Sequence, residues 1–126
     1  FYVDTLEYLK KGGRIGLVAS MLGSALNLKP IISCNEDGIY YTVSKMLGKR
    51  RALNRAIDLA RRFATTGRNY NIAVVHGRAE SEANRIKDII LPLLPDYNIL
   101  VDGQISPALG VHTGPGAIGI AIQLIP

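Results

Sequence analysis

Two runs of extended-type sequence flank Asn35-Glu36-Asp37-Gly38, so the chain must turn back on itself there. Pro30, Ile31, Ile32 and Ser33 lead into the turn. On the way out, Ile39, Tyr41 and Val43 alternate with Tyr40, Thr42 and Ser44. Asp-Gly suits the positive φ of a tight hairpin, and a period of two places Ile39, Tyr41 and Val43 on one face, expected to be the buried one. The period then lengthens. From Lys49 to about Thr65, residues Leu53, Ala56, Ile57, Ala60, Phe63 and Ala64 form a helical apolar stripe, with Arg51, Arg55, Asp58 and Arg62 opposite.

The same alternation of periods continues. Ile72-Ala73-Val74-Val75 is a short apolar strand leading to His76-Gly77, at an edge that often faces ligands in α/β sheets, so His76 reads as a ligand-facing residue or as a partly exposed loop histidine. Ala79 to Leu91 reads as a helix, with Glu80 and Glu82 in its first turn, where the helix dipole favours acids. Ala83, Ile86 and Ile90 face inward, and Pro92 and Pro95 close the element. Tyr97, Ile99 and Val101 alternate before Asp102-Gly103, which reads as a turn, and a last strand runs from about Ala117 to Leu124. At the other end, Val3, Leu6 and Leu9 keep helical spacing up to the stop at Gly12-Gly13. A second helix is expected from about Ile15 to Leu26, with Ile15, Val18, Leu22 and Leu26 on one face. Its small residues Gly16, Ala19, Ser20, Gly23 and Ser24 would admit a close neighbour, either a sheet or an elongated ligand. A hairpin joined to β-α-β sequence implies an α/β (α+β) domain of two layers, a mixed β-sheet covered by helices.

Bulk properties narrow the class. At 126 residues and 48% hydrophobic content, residues 1–126 make one domain with a real core. No apolar run reaches the roughly 18 residues that a spanning helix needs. Cys34 is the one cysteine, which excludes an internal disulfide, fits a reducing cytoplasm, and is expected as a buried thiol in a strand. Phe1 is not an initiator methionine, so the chain reads as a piece of a longer protein. The net charge of +5 is concentrated: Lys45, Lys49, Arg50, Arg51, Arg55, Arg61 and Arg62 are seven of the fifteen basic residues, with Asp58 the single acid among them. Such a face is ordinarily solvated, or it meets an acidic protein or an anionic surface. No nucleic-acid module is visible, and the aromatics are not interleaved with the basic run.

Chemistry concentrates in Ile105 to Gly119. Gly110, Gly114, Gly116 and Gly119 fall within ten residues, Ser106, His112 and Thr113 supply polar atoms, and Ile105, Leu109, Val111 and Ile118 supply apolar walls. The mix suits a loop at a pocket rim, where glycine lets another surface come close. Gly114-Pro115-Gly116-Ala117-Ile118-Gly119 matches G-x-G-x-x-G by letter only, because a strand-like run follows it and no acidic residue lies beyond. There is no G-x-S-x-G elbow, Walker A loop or H-E-x-x-H. Two histidines and one cysteine, far apart, show no metal spacing, and Ser106 and His112 have no acidic residue nearby to orient a triad. His112 is the candidate binding residue: its flanking glycines leave the imidazole room, and its N–H can donate to a carboxylate.

The run Ser106-Pro107-Ala108-Leu109-Gly110-Val111-His112-Thr113-Gly114-Pro115-Gly116-Ala117-Ile118-Gly119 resembles the C-terminal signature of the DegV family, bacterial fatty-acid-binding proteins that include the FakB subunits of fatty acid kinase. Leu9-Lys10-Lys11-Gly12-Gly13-Arg14-Ile15, then Leu26-Asn27-Leu28-Lys29-Pro30-Ile31-Ile32, then Asp37-Gly38 resemble other family blocks in the same order. The resemblance covers the family's second domain and implies that a preceding α/β domain, supplying Ser and Thr groups to the ligand head, is absent from this chain. It implies a non-catalytic carrier of a long-chain fatty acid, without cofactor or metal, that presents the carboxyl group to a separate fatty acid kinase subunit using ATP. His112 would then hold the carboxyl group, with Arg14, Ser106, Thr113, Gly114 and Gly116 around the head and Ile15, Leu22, Leu26, Leu28 and Leu109 along the acyl chain. Arg50 and Arg51 would contact the kinase subunit. Two other readings stand beside it: a small-ketone site like that of dihydroxyacetone kinases, with His112 as nucleophile, and an interaction module built on the basic helix alone.

Overall fold

The protein, described over residues 1–126 by a computed structural model, contains five strands and four α-helices. β1 (Leu28–Cys34) and β2 (Tyr40–Leu47) form the expected antiparallel hairpin, and Asn35 organises its turn by accepting the N–H groups of Asp37 and Ile39 at 3.0 Å each. β3 (Asn69–His76), β4 (Leu100–Gln104) and β5 (Ile118–Ile125) form a second group in the order β4-β3-β5, parallel on one side of β3 and antiparallel on the other. The mixed sheet is therefore as expected. Tyr2 joins the two groups: its backbone pairs antiparallel with Ile31 of β1 and with Ile118 of β5.

α2 (Lys49–Ala64) and α3 (Glu80–Leu93) cover one face of this sheet. Alternation along β3 aims Tyr70, Ile72 and Val74 at that face, where they meet Leu53, Ile57, Ile86 and Ile90 in the main core. Tyr2, Ile31 and Ile118 belong to it, and the Tyr2 hydroxyl donates to Asp4 Oδ1 at 2.7 Å. Burial and the neighbouring Asp4 carboxylate push the Tyr2 phenol above the usual tyrosine range. On the opposite face a smaller core gathers Val3, Leu9, Val18, Ile32 and Ala117 under α1 (Glu7–Lys11) and a 3₁₀ helix (Gly16–Met21). α4 (Pro107–Thr113) lies between β4 and β5 in the chain. No helix is long and apolar enough to cross a membrane.

Several local expectations are corrected. The first helix starts only at Glu7, because Tyr2 and Val3 are taken into the sheet and the small core. The second helix is a six-residue 3₁₀ segment. Leu22 is extended and exposed and Leu26 is 95% exposed, since glycine and serine at Gly23-Ser24 do not sustain a helix. Along β2 and just before it the expected burial is reversed: Ile39, Tyr41 and Val43 are exposed, Tyr41 and Val43 bordering an open depression beside α2, while Tyr40, Thr42 and Ser44 are half-buried. Phe63, expected in the α2 stripe, is half-exposed. Asp102-Gly103 lies inside β4, where Gly103 takes φ +139, and is no turn. α3 runs past Pro92, with Leu94 buried beyond it. Cys34 is exposed at the end of β1.

The main core should dominate stability. Leu53, with no exposed surface, truncated as Leu53→Ala should lower the unfolding free energy by about 2–5 kcal/mol in urea titrations.

Candidate functional site

The parallel strands β3 and β4 both end at one edge of the sheet, and an open cavity of about 500 Å³ lies there. Its wall includes Gly77 and Arg78 after β3, Gln104 at the end of β4 and Ile105 after it, Ser106, Gly110 and Gly114 around α4, and Tyr8 from α1. The carboxyl ends of parallel strands are a recurrent ligand position in α/β sheets, and the volume falls in the range of small-molecule sites.

The stretch expected as a loop is largely a helix. Ser106 takes the N-cap position, its Oγ accepting from Leu109 N–H at 3.4 Å, and Pro107 occupies the first turn. Ser-Pro ahead of an apolar run was the signal for it. α1 and the α4 region interlock through glycines. A Cβ on Gly12 would fall 2.1 Å from His112 Nδ1, one on Gly114 2.3 Å from the Tyr8 ring, and one on Gly116 1.9 Å from Asp4 Oδ2. Gly114 and Gly116 also hold φ of +81 and +89. The turn after α1 is a Schellman motif: Gly13 has φ +68, and the N–H groups of Gly13 and Arg14 donate to Lys10 and Leu9 carbonyls at 3.2 and 2.8 Å.

The expected site residues are distributed by this packing. Ser106 and Gly114 line the 500 Å³ cavity. His112 stands beside it on α4, half-buried against Gly12, with Nδ1 closed to solvent and unpartnered, and is not part of the cavity wall. Thr113 is buried, its hydroxyl donating to the Leu109 carbonyl at 3.2 Å, while Leu109 itself is exposed. Gly116 sits against Asp4. Leu22, Leu26 and Leu28 line a separate cavity of about 290 Å³ with Val3, Leu6 and Met21. Ile15 packs on the small core. Arg14 lines a shallow depression with Cys34 and Tyr40. On α2, Asp58 pairs with Arg55, Arg61 and Arg62 at 3.0 to 3.2 Å, and the hydrogen bond from Arg61 chiefly holds its carboxyl below the usual range. Arg50 and Arg51 are exposed and make no ion pair.

Two residues were misjudged from sequence. His76 is buried, and its Nδ1 accepts the Ala79 N–H at 3.0 Å, so it closes the turn into α3 and is neither ligand-facing nor a loose loop residue. Arg78 was overlooked. It is the single non-glycine residue with positive φ (50°), a conformation costing on the order of 1–3 kcal/mol. It is exposed on the cavity wall without an ion-pair partner, its N–H donating to Gln104 Oε1 at 3.3 Å. A cation directly after the glycine that ends an apolar strand was the available clue. No three His, Cys, Asp or Glu side chains cluster to hold a metal.

A mixed sheet with helices on one face, a glycine-locked short helix on the other side and an open cavity at its strand ends defines a small α/β domain. The family model described as "Uncharacterised protein, DegV family" matches residues 1–124, and the chain belongs to the DegV family. A DegV domain-containing protein of Clostridium acetobutylicum is 46% identical over 122 residues, which is 97% of this chain and 43% of that protein. One from Streptomyces coelicolor is 35% identical over 98% of this chain and 43% of its own length. The chain thus spans less than half the length of the curated relatives it matches. Among solved structures, a protein of Streptococcus agalactiae described as a fatty acid binding DegV family protein has TM-score 0.85 and 27% identity, covering 99% of this chain and 44% of that one. A DegV family protein of Thermus thermophilus, described by its fatty acid binding, has TM-score 0.89 and 25% identity, covering 98% and 44%.

The glycine contacts separate two kinds of position. Gly114→Ala should destabilise the fold by about 2–4 kcal/mol, from left-handed strain and the Tyr8 clash. Gly110→Ala, with nothing within 4 Å of its added Cβ, should be neutral or stabilising by up to about 1 kcal/mol. Paired thermal and urea denaturation would measure both.

Proposed function

We propose that this chain is the second, ligand-holding domain of a longer two-domain protein and that it carries a long-chain fatty acid without catalysing its reaction. The observation that carries the reading is the likeness, over essentially its whole length, to solved family members described as fatty acid binding. The cavity at the strand ends supports a place for the carboxyl group: Arg78 offers a charge-assisted bond, Ser106 a hydroxyl, and the adjoining His112 its Nε2, since Nδ1 is closed off against Gly12. Arg14, Thr113, Gly114 and Gly116 frame the head region through the α1–α4 interlock. The acyl chain would lie along the exposed Leu22 and Leu26 and the half-buried Leu28, with Ile15 and Leu109 at its margins. Each methylene sheltered contributes about 0.8 kcal/mol.

In this reading a separate kinase subunit, in a bacterial cytoplasm, phosphorylates the presented carboxyl group. Arg50 and Arg51, whose charge Asp58 does not neutralise, would dock it, and nucleic acid is no partner.

The test uses the full-length parent. Denaturing organic extraction followed by mass spectrometry should recover a long-chain fatty acid. Arg78→Ala and His112→Ala should each weaken binding of a fluorescent fatty acid by about 10-fold or more, the loss of one charged or polar contact. An extract without lipid, or a small ketone bonded to His112, would overturn the reading.

A further inference from the structure

Between β1 and β5 the sheet opens into an apolar groove of about 480 Å³, twelve of its thirteen lining residues hydrophobic. Tyr41 and Val43 of β2, Leu59 and Phe63 of α2, and Ile120 and Ile122 of β5 form much of its wall. The closed end is Phe1–Val3, which lies between the two strands and hydrogen-bonds both. Phe1 N–H donates to the Ile32 carbonyl at 2.6 Å and the Phe1 carbonyl accepts from Ile32 N–H at 2.8 Å, while Tyr2 exchanges bonds of 2.8 and 3.0 Å with Ile118. The flanking strands are therefore held about two strand spacings apart, roughly 9.5 Å.

Backbone direction alternates along a strand. Because Ile118 points its N–H and C=O at Tyr2, Ile120 and Ile122 point theirs into the groove, and Gly119 and Ala121 point toward β3. On β1, Ile32 bonds Phe1, so Cys34 faces the groove as well. A purely apolar occupant would leave these groups unpaired, whereas an extended peptide satisfies them.

We propose that the groove receives a β-strand formed by the residues leading into Phe1 in the parent protein, antiparallel to both β1 and β5, completing a continuous sheet. The proposal rests on the reading of this chain as one domain of a longer protein. The pairing already made by Phe1–Val3 fixes its register. The first residue before Phe1 lies opposite Ser33 and Ile120, the second opposite Cys34 and Ala121, and the third opposite Ile122. First and third share the α2 face with Tyr2, so they are apolar side chains covering Phe63, Tyr41 and Ile122. Burial at Phe1 agrees with this: it lowers a free amine there to about 6, a penalty that a peptide N–H does not meet. The linker from a preceding domain would thereby be built into the middle of this one.

In the parent, a cysteine placed at the second position before Phe1 stands opposite Cys34, with Cα atoms about 5.5 Å apart, inside the range for a disulfide. Mild oxidation should link it to Cys34, as read by non-reducing peptide mapping, and a cysteine at the first position, on the other face, should not link. In the delipidated parent, residue-resolved hydrogen exchange should find Ile120 and Ile122 as slow as Gly119 and Ala121. Fast exchange at Ile120 and Ile122, or linkage from both positions, overturns the proposal. Slow exchange that appears only after fatty acid is added overturns it too, assigning the groove to the acyl chain. Protection in a protein whose extract holds no lipid would keep the strand and reject the carrier reading.

Discussion

The four backbone hydrogen bonds made by Phe1 and Tyr2 hold the architecture together. Without them the β1–β2 hairpin and the β4-β3-β5 group are separate pieces, and a two-stranded ribbon has little stability alone. With them, the hairpin, α2 and β5 share one core, and Tyr2 is among its most buried side chains. The opposite face depends on the same contact. Val3, one residue on, anchors the small core that holds α1 and the 3₁₀ helix.

From that anchor follows the shape of the cavity at the strand ends. Asp4, Tyr8 and Gly12 each press on a residue of the α4 region at a distance only glycine permits on one side of the contact. Two sequence blocks some hundred residues apart are thus a single interlocking surface. The 500 Å³ cavity forms where this surface meets the ends of β3 and β4. Its glycines place Tyr8 on the wall and His112 beside it, so the glycine-rich sequence at this point serves packing.

Much of the fold was legible. The hairpin at Asn35–Gly38, α2, α3 and the mixed character of the sheet follow from periodicity and turn chemistry, because their side chains are patterned by the faces they bury. What failed was tertiary in origin. Tyr2 and Val3 fit a helical spacing and were claimed by the sheet. Ile39, Tyr41 and Val43 look like a buried face, yet all three are exposed, Tyr41 and Val43 because they border an open groove beside α2. Of the candidate site residues read from the sequence, Ser106 and Gly114 line the cavity at the strand ends. His76 was misread and Arg78 overlooked because one hydrogen bond, from Ala79 N–H, and one left-handed residue set their positions, and neither leaves a periodic trace.

α2 opens with Lys49, Arg50 and Arg51, follows an uncapped Gly48, and has no acid in its first turn. Cations there oppose the helix dipole, each by about 0.3–1 kcal/mol. The helix forms regardless because Ala52, Leu53 and Ala56 are pulled into the core directly behind them. Folding alone would gain from neutral or acidic residues at this end. Asp4, 3.7 Å from the Lys49 ammonium, relieves one of the three charges, but Arg50 and Arg51 stay where their own backbone least welcomes them, an electrostatic tension at this corner of the surface that no acidic side chain of the folded chain offsets.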